Sequence, residues 1–104
     1  MKSFSERVIN VARKIPAGRV TTYGRIARAA GAGGIAAQGV TMILSKAEKA
    51  GIRIPWHRIV YADGHIWISP EYRAKRMKLY KEEGILIDKD DRITNFADVL
   101  FEYQ

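Results

Sequence analysis

Within Ile54-Pro55-Trp56-His57-Arg58-Ile59-Val60 an indole, an imidazole and a guanidinium occupy consecutive positions. An imidazole beside a nucleophile can act as its general base, but the neighbours of His57 are Trp56 and Arg58. Neither the carbon nor the nitrogen of an indole attacks an electrophile at neutral pH. The chain has no cysteine to take that role, so a thiolate nucleophile, disulfides and thiolate zinc sites are excluded together. A second group lies upstream, where Thr22, Tyr23 and Arg25 surround the start of an expected helix; exposed backbone N–H groups at such a terminus suit phosphate binding. Read alone, Trp56 also fits a plain core tryptophan, and Tyr23 a half-buried amphipathic residue. No residue pattern implies a metal or a cofactor.

These groups must be held by a small set of elements. Ser3 with Glu6 has the form of a capping box, and Phe4, Val8, Val11, Ala12 and Ile15 recur at helical spacing, predicting a helix over 4–14 that Pro16-Ala17-Gly18 ends. Thr22 is a good N-cap for a second helix over 23–30, with Gly31 as its stop. Gly33-Gly34 would make a tight connection to a third helix from about 35 to 50, with Val40, Ile43, Leu44 and Ala47 inward. Two helices joined by a short glycine-containing turn have the outline of a helix-turn-helix. Strand-type sequence follows at Arg53-Ile54 and Trp56–Val60; Ala62-Asp63-Gly64 then turns into His65-Ile66-Trp67-Ile68, which suits a β wing. Pro70 opens a helix running to Glu83, with Tyr72, Arg76, Leu79 and Tyr80 as candidate contacts and Gly84 as C-cap. Ile85-Leu86-Ile87 could be a short strand, and Phe96–Phe101 is apolar enough to pack back on the core. The expected class is α+β: a winged helix-turn-helix, helical with a small β wing, forming one domain over 1–104.

A chain of 104 residues can bury one modest core. Hydrophobic residues at 47% and charged residues at 28% are ordinary for a folded soluble protein. No apolar run approaches membrane-spanning length and the start lacks a signal-peptide core, so a cytoplasmic address and no membrane partner are expected, with nucleoid or nuclear placement depending on the cell type. The net charge of +7 is uneven. Residues 1–60 hold eleven Lys and Arg against Glu6 and Glu48, whereas residues 61–104 hold seven against nine acidic residues. A basic first half suggests a polyanionic partner, because phosphate contacts release condensed counterions; a merely solvated basic surface is the alternative.

The segment Pro55-Trp56-His57-Arg58 resembles the active-site signature of O6-alkylguanine-DNA alkyltransferases, in which Pro-Cys-His-Arg-Val holds the nucleophilic cysteine. Ile15–Gly24 and Glu82-Glu83-Gly84 are similar to further family segments, in the same order, so the resemblance covers roughly residues 4–87. Tryptophan at the cysteine position marks the alkyltransferase-like proteins.

The resemblance implies a non-enzymatic protein that recognises O6-alkylguanine in double-stranded DNA through the minor groove, flips the nucleotide and signals to nucleotide excision repair proteins. The expected state is a monomer. Trp56, Tyr23, Pro55 and Arg58 would line the lesion pocket, with Tyr23 pressing on the target phosphate. Thr22, Tyr23, Arg25, Ala37, Gln38 and Gly39 would contact DNA, and His57 would hydrogen-bond Glu83 as part of a structural network. One departure is plain: the family arginine that fills the gap left by the flipped base is replaced, by Gln38 in the favoured register. The family's Asn-Pro hinge is also replaced, by Ser45-Lys46-Ala47. DNA binding without lesion preference is the alternative function.

Overall fold

The computed structural model describes residues 3–31, 37–66 and 68–103, and for residues 37 and 38 the backbone alone. Helix α1 (Phe4–Arg13) starts where the Ser3 hydroxyl accepts the Glu6 N–H at 3.2 Å, satisfying a donor left free by the helix geometry. Helix α2 (Tyr23–Ala29) is capped the same way, Thr22 Oγ1 accepting the Arg25 N–H at 3.2 Å. Helix α3 (Ala37–Lys49) buries Val40, Leu44 and Ala47 from successive turns. The expected start of this helix at residue 35 and the Gly33-Gly34 connection lie outside the described residues.

The three helices enclose a first core of Val8, Ala12, Ile15, Ile26, Ala27, Ala30, Val40, Leu44, Ala47, Ile54 and Ile59. Arg7 Nε donates to the Ala30 carbonyl at 2.7 Å, tying α1 to the carbonyl end of α2. Helices α2 and α3 pack against each other as the helix-turn-helix expectation requires.

A second core comprises Val20, Val60, Ile66, Tyr80, Ile85, Ile93 and Val99. The sheet stands between the two. Strand β1 (Thr21–Thr22) pairs in parallel with β2 (Ile59–Val60), Thr21 opposite Ile59 and Thr22 opposite Val60. Side chains alternate across a strand, so Ile59 feeds the first core and Val60 the second. The two buried threonines are satisfied: Thr22 caps α2, and Thr21 Oγ1 donates to the Phe101 carbonyl at 3.3 Å.

Helix α4 (Arg73–Glu82) follows a 3-10 turn at Pro70–Tyr72 and presents Tyr80 to the second core. Short helix α5 (Phe96–Val99) leads into the tail. The tail packs back as its apolar residues predict. Val20 N–H donates to Val99 O at 2.9 Å, Phe101 N–H to Val20 O at 2.7 Å, and the Tyr103 hydroxyl to Val11 O at 2.8 Å.

The class is α+β, a winged helix-turn-helix, but the strand pairing differs from the expectation. Trp56–Arg58 is a 3-10 turn and not strand, since the Arg58 N–H reaches back to Pro55 O at 2.9 Å. Ile59–Val60 pairs with β1, whereas His65 bridges Arg92 and Ile87 bridges Ile93. The turn at 62–64 forms, closed by Tyr61 N–H to His65 O at 3.0 Å. Trp67 lies outside the described residues.

Candidate nucleic-acid interface

Register in the parallel pair sets the site. Immediately after Thr22 and Val60 come Tyr23 and Tyr61, whose rings lie 6.1 Å apart at 41°. Immediately before β2 comes the Pro55–Arg58 turn. Two candidate segments 32 positions apart in sequence are thus held at one fixed offset by two residues of sheet and the cores on either side.

The turn is clamped by Glu83, at the end of α4. Its carboxylate accepts from Arg58 Nε at 3.1 Å and Arg58 Nη2 at 2.9 Å, and from the Gly18 N–H at 2.9 Å. His57 Nε2 lies 2.8 Å from its second oxygen. Arg58 Nη1 also donates to Ile15 O at 3.1 Å, so one guanidinium joins the 56–58 turn, the 15–18 loop and α4. Gly18 has φ +85, a region L side chains rarely enter, which brings its N–H onto the carboxylate. Burial opposes ionisation of Glu83, but the Arg58, Gly18 and His57 contacts outweigh it and hold the carboxyl down at about 2, against 4.5 ordinarily. His57 further sets its ring edge-on to Tyr80, 6.1 Å away. Burial also pushes the Tyr80 phenol up to about 12.

Arg58 therefore stands with His57 and Glu83 in the supporting network, not with a free guanidinium in a pocket. Pro55 is half-buried and caps the turn. Trp56 points the other way. It is half-buried, packs against the first core, and its Nε1–H donates to Glu48 Oε2 at 2.8 Å.

Tyr23 is half-buried at the start of α2. Burial raises its phenol above the ordinary value, with Tyr61 adding to the shift and Arg76 opposing it, so the hydroxyl stays neutral and able to donate. Thr22 is turned inward, its hydroxyl used by the helix cap, and its side chain presents no free group to a phosphate. Arg25 is paired with Glu102, Nη2 to Oε1 at 3.1 Å. At the start of α3, Gly39 is half-buried, and a Cβ built on it would meet nothing within 4 Å. Ala37 and Gln38 are placed by their backbone on the same first turn.

Four residues that contact these candidates were not singled out as site residues in the sequence: Glu48, Tyr61, Gly18 and Glu102. Glu48 had one usable signal, being one of two carboxylates in the first sixty residues. A surface depression lined by Tyr61, Ala62, Asp63, His65 and Ile66 adjoins the Tyr23–Tyr61 pair, and another is lined by Met77, Tyr80 and Ile85–Ile87. Neither includes Trp56. Among the described residues no group of three or more acidic or histidine side chains is placed to hold a metal, and no helix is long and apolar enough to cross a membrane.

A packed helix pair, a strand pair between two cores and a clamped tryptophan turn define a winged-helix domain of the α+β class. The sequence pattern of the 6-O-methylguanine DNA methyltransferase DNA-binding domain matches residues 3–85. A DNA base-flipping protein of Escherichia coli K12 is 36% identical over 92 residues, covering 88% of this chain and 69% of that protein. Its namesake from Vibrio parahaemolyticus is 30% identical over 93 residues, covering 89% and 91%. Atl1 of S. pombe, solved with damaged DNA containing O6-carboxymethylguanine, superposes with a TM-score of 0.78 at 27% identity, covering 99% of this chain and all of that one. The chain belongs to the 6-O-methylguanine DNA methyltransferase DNA-binding-domain family, as one of its alkyltransferase-like members with Trp56 at the cysteine position.

Proposed function

We propose that this protein binds O6-alkylguanine in duplex DNA through the minor groove, turns the damaged nucleotide out of the stack, and leaves the alkyl group in place. The observation that carries this is the indole of Trp56, held at the motif's cysteine position by its N–H bond to Glu48 and by the clamped turn behind it. A flat ring there can stack on an extruded purine but cannot accept an alkyl group, and the chain has no thiol to accept it instead. The names of the bacterial relatives and the damaged DNA bound by the S. pombe protein support the reading. Tyr23, neutral and one residue beyond the parallel strand pair, is the group we assign to the target phosphate. The stable flipped complex would then be the signal passed to nucleotide excision repair proteins.

The test is a gel-shift comparison of duplexes with and without O6-methylguanine at matched salt: tighter binding to the lesion is expected, and equal affinity would overturn the proposal. Incubation with duplex carrying a labelled O6-methyl group should leave no label on the protein. A second reading, binding without lesion preference, draws on the loss of the family's arginine, whose place falls to Gln38 in the favoured register and to Ala37 in the other. Under it, Gln38→Arg would gain discrimination that the native chain lacks.

A further inference from the structure

We propose that Glu48 determines which adducts this protein accepts: it positions the Trp56 indole and sets a negative charge beside it, so that uncharged O6-alkyl groups are bound in preference to carboxylated ones. The inference rests on the assignment of Trp56 to the base pocket made above, and adds to it the substrate class. Glu48 sits in the last turn of α3 and is exposed, an unusual place for a carboxylate in the basic half of the molecule. Its recorded contact is the 2.8 Å bond from Trp56 Nε1. Among the described residues no Lys or Arg forms an ion pair with it. A carboxylate facing a phosphate-binding surface is repelled by the partner. Its bond to the indole gives it a different task.

An indole fixed through its N–H cannot spin about the bond to its β-carbon, so the ring plane offered to a base is defined before DNA arrives. An alkyl group resting on that ring lies within one ring width of the carboxylate. A methyl group is indifferent to that charge. A carboxymethyl group carries its own negative charge and is repelled, on the order of fivefold to tenfold in affinity at this spacing and exposure, less as salt rises.

The experiment measures affinity for three duplexes, undamaged, O6-methylguanine and O6-carboxymethylguanine, with the native protein, Glu48→Gln and Glu48→Ala. Thermal melts of each variant confirm the fold. Glutamine keeps an oxygen for the indole N–H but removes the charge. It should bring carboxymethyl-lesion affinity up to methyl-lesion affinity, whereas alanine should lower discrimination against undamaged duplex for both lesions. A methyl-to-carboxymethyl ratio equal in the native protein and Glu48→Gln would overturn the inference. Native protein that prefers both lesions equally over undamaged duplex would overturn the role of Glu48 alone. Native protein with no lesion preference would overturn it together with the function it rests on.

Discussion

Truncating the indole separates two kinds of binding. Trp56→Ala should weaken affinity for O6-methylguanine duplex by roughly 1–3 kcal/mol, the worth of one base–aromatic stack, with a smaller loss on undamaged duplex. Fluorescence anisotropy on both duplexes checks this, and an equal loss on both would remove Trp56 from the base pocket. Arg25 is held by Glu102, so its charge is partly spent within the protein. Glu102→Gln should release it, raising affinity for undamaged duplex at low salt and steepening the slope of log K against log salt by about 1. An unchanged slope would place Arg25 outside the DNA footprint. His57 and Glu83 were legible in the sequence because their spacing matched a motif whose chemistry uses them, and Trp56 because it stands where that chemistry needs a cysteine. Glu48 and Glu102 were not, because an exposed carboxylate looks the same in sequence whether or not a distant indole or guanidinium folds onto it.

Elements differ in how far local rules decide them. The helices were legible because periodicity and caps act over three or four residues: Ser3 and Thr22 both cap as expected. The strand pair was not, because a parallel ladder of two residues per strand joins positions 38 apart and leaves no alternation to detect. The Glu83 clamp couples three such elements and gives a prediction with a definite sign. Folded Glu83 binds its proton more weakly than the unfolded chain does, so its contribution is complete above about pH 4.5 and is lost as pH falls towards about 2. Urea unfolding of Glu83→Gln should show lower stability at pH 7 and a flatter loss between pH 4.5 and 2 than the native protein. A parallel decline of both would exclude the clamp. Gly39 gives the opposite kind of case, a helical glycine whose added Cβ would meet nothing within 4 Å among the described residues. Gly39→Ala should raise stability by about 0.5–1 kcal/mol while lowering DNA affinity, because the added methyl meets the partner. Unchanged affinity would show that the DNA backbone does not approach there.

At the scale of the whole molecule, two cores share one sheet, and the tail fastens them together. The sequence made the helical core plain, while the second core, assembled from Val20, Val60, Ile66, Tyr80, Ile85, Ile93 and Val99, draws single residues from most of the chain's length and has no local pattern. Tyr103→Phe deletes only the bond to the Val11 carbonyl; it should cost about 0.5–1.5 kcal/mol with an unchanged urea m value. A larger loss, or a second transition, would mean that the cores unfold separately.

The main-chain groups of Val20 are satisfied by Val99 and Phe101. During synthesis, therefore, an early segment waits for one made some eighty residues later. Helices α1 to α3 can associate while the chain is still tethered to the ribosome, since their contacts are comparatively close in sequence. Val20 and Val60 therefore stay uncovered until the segment around Val99 and Phe101 has been made, so the second core closes later than the helical one.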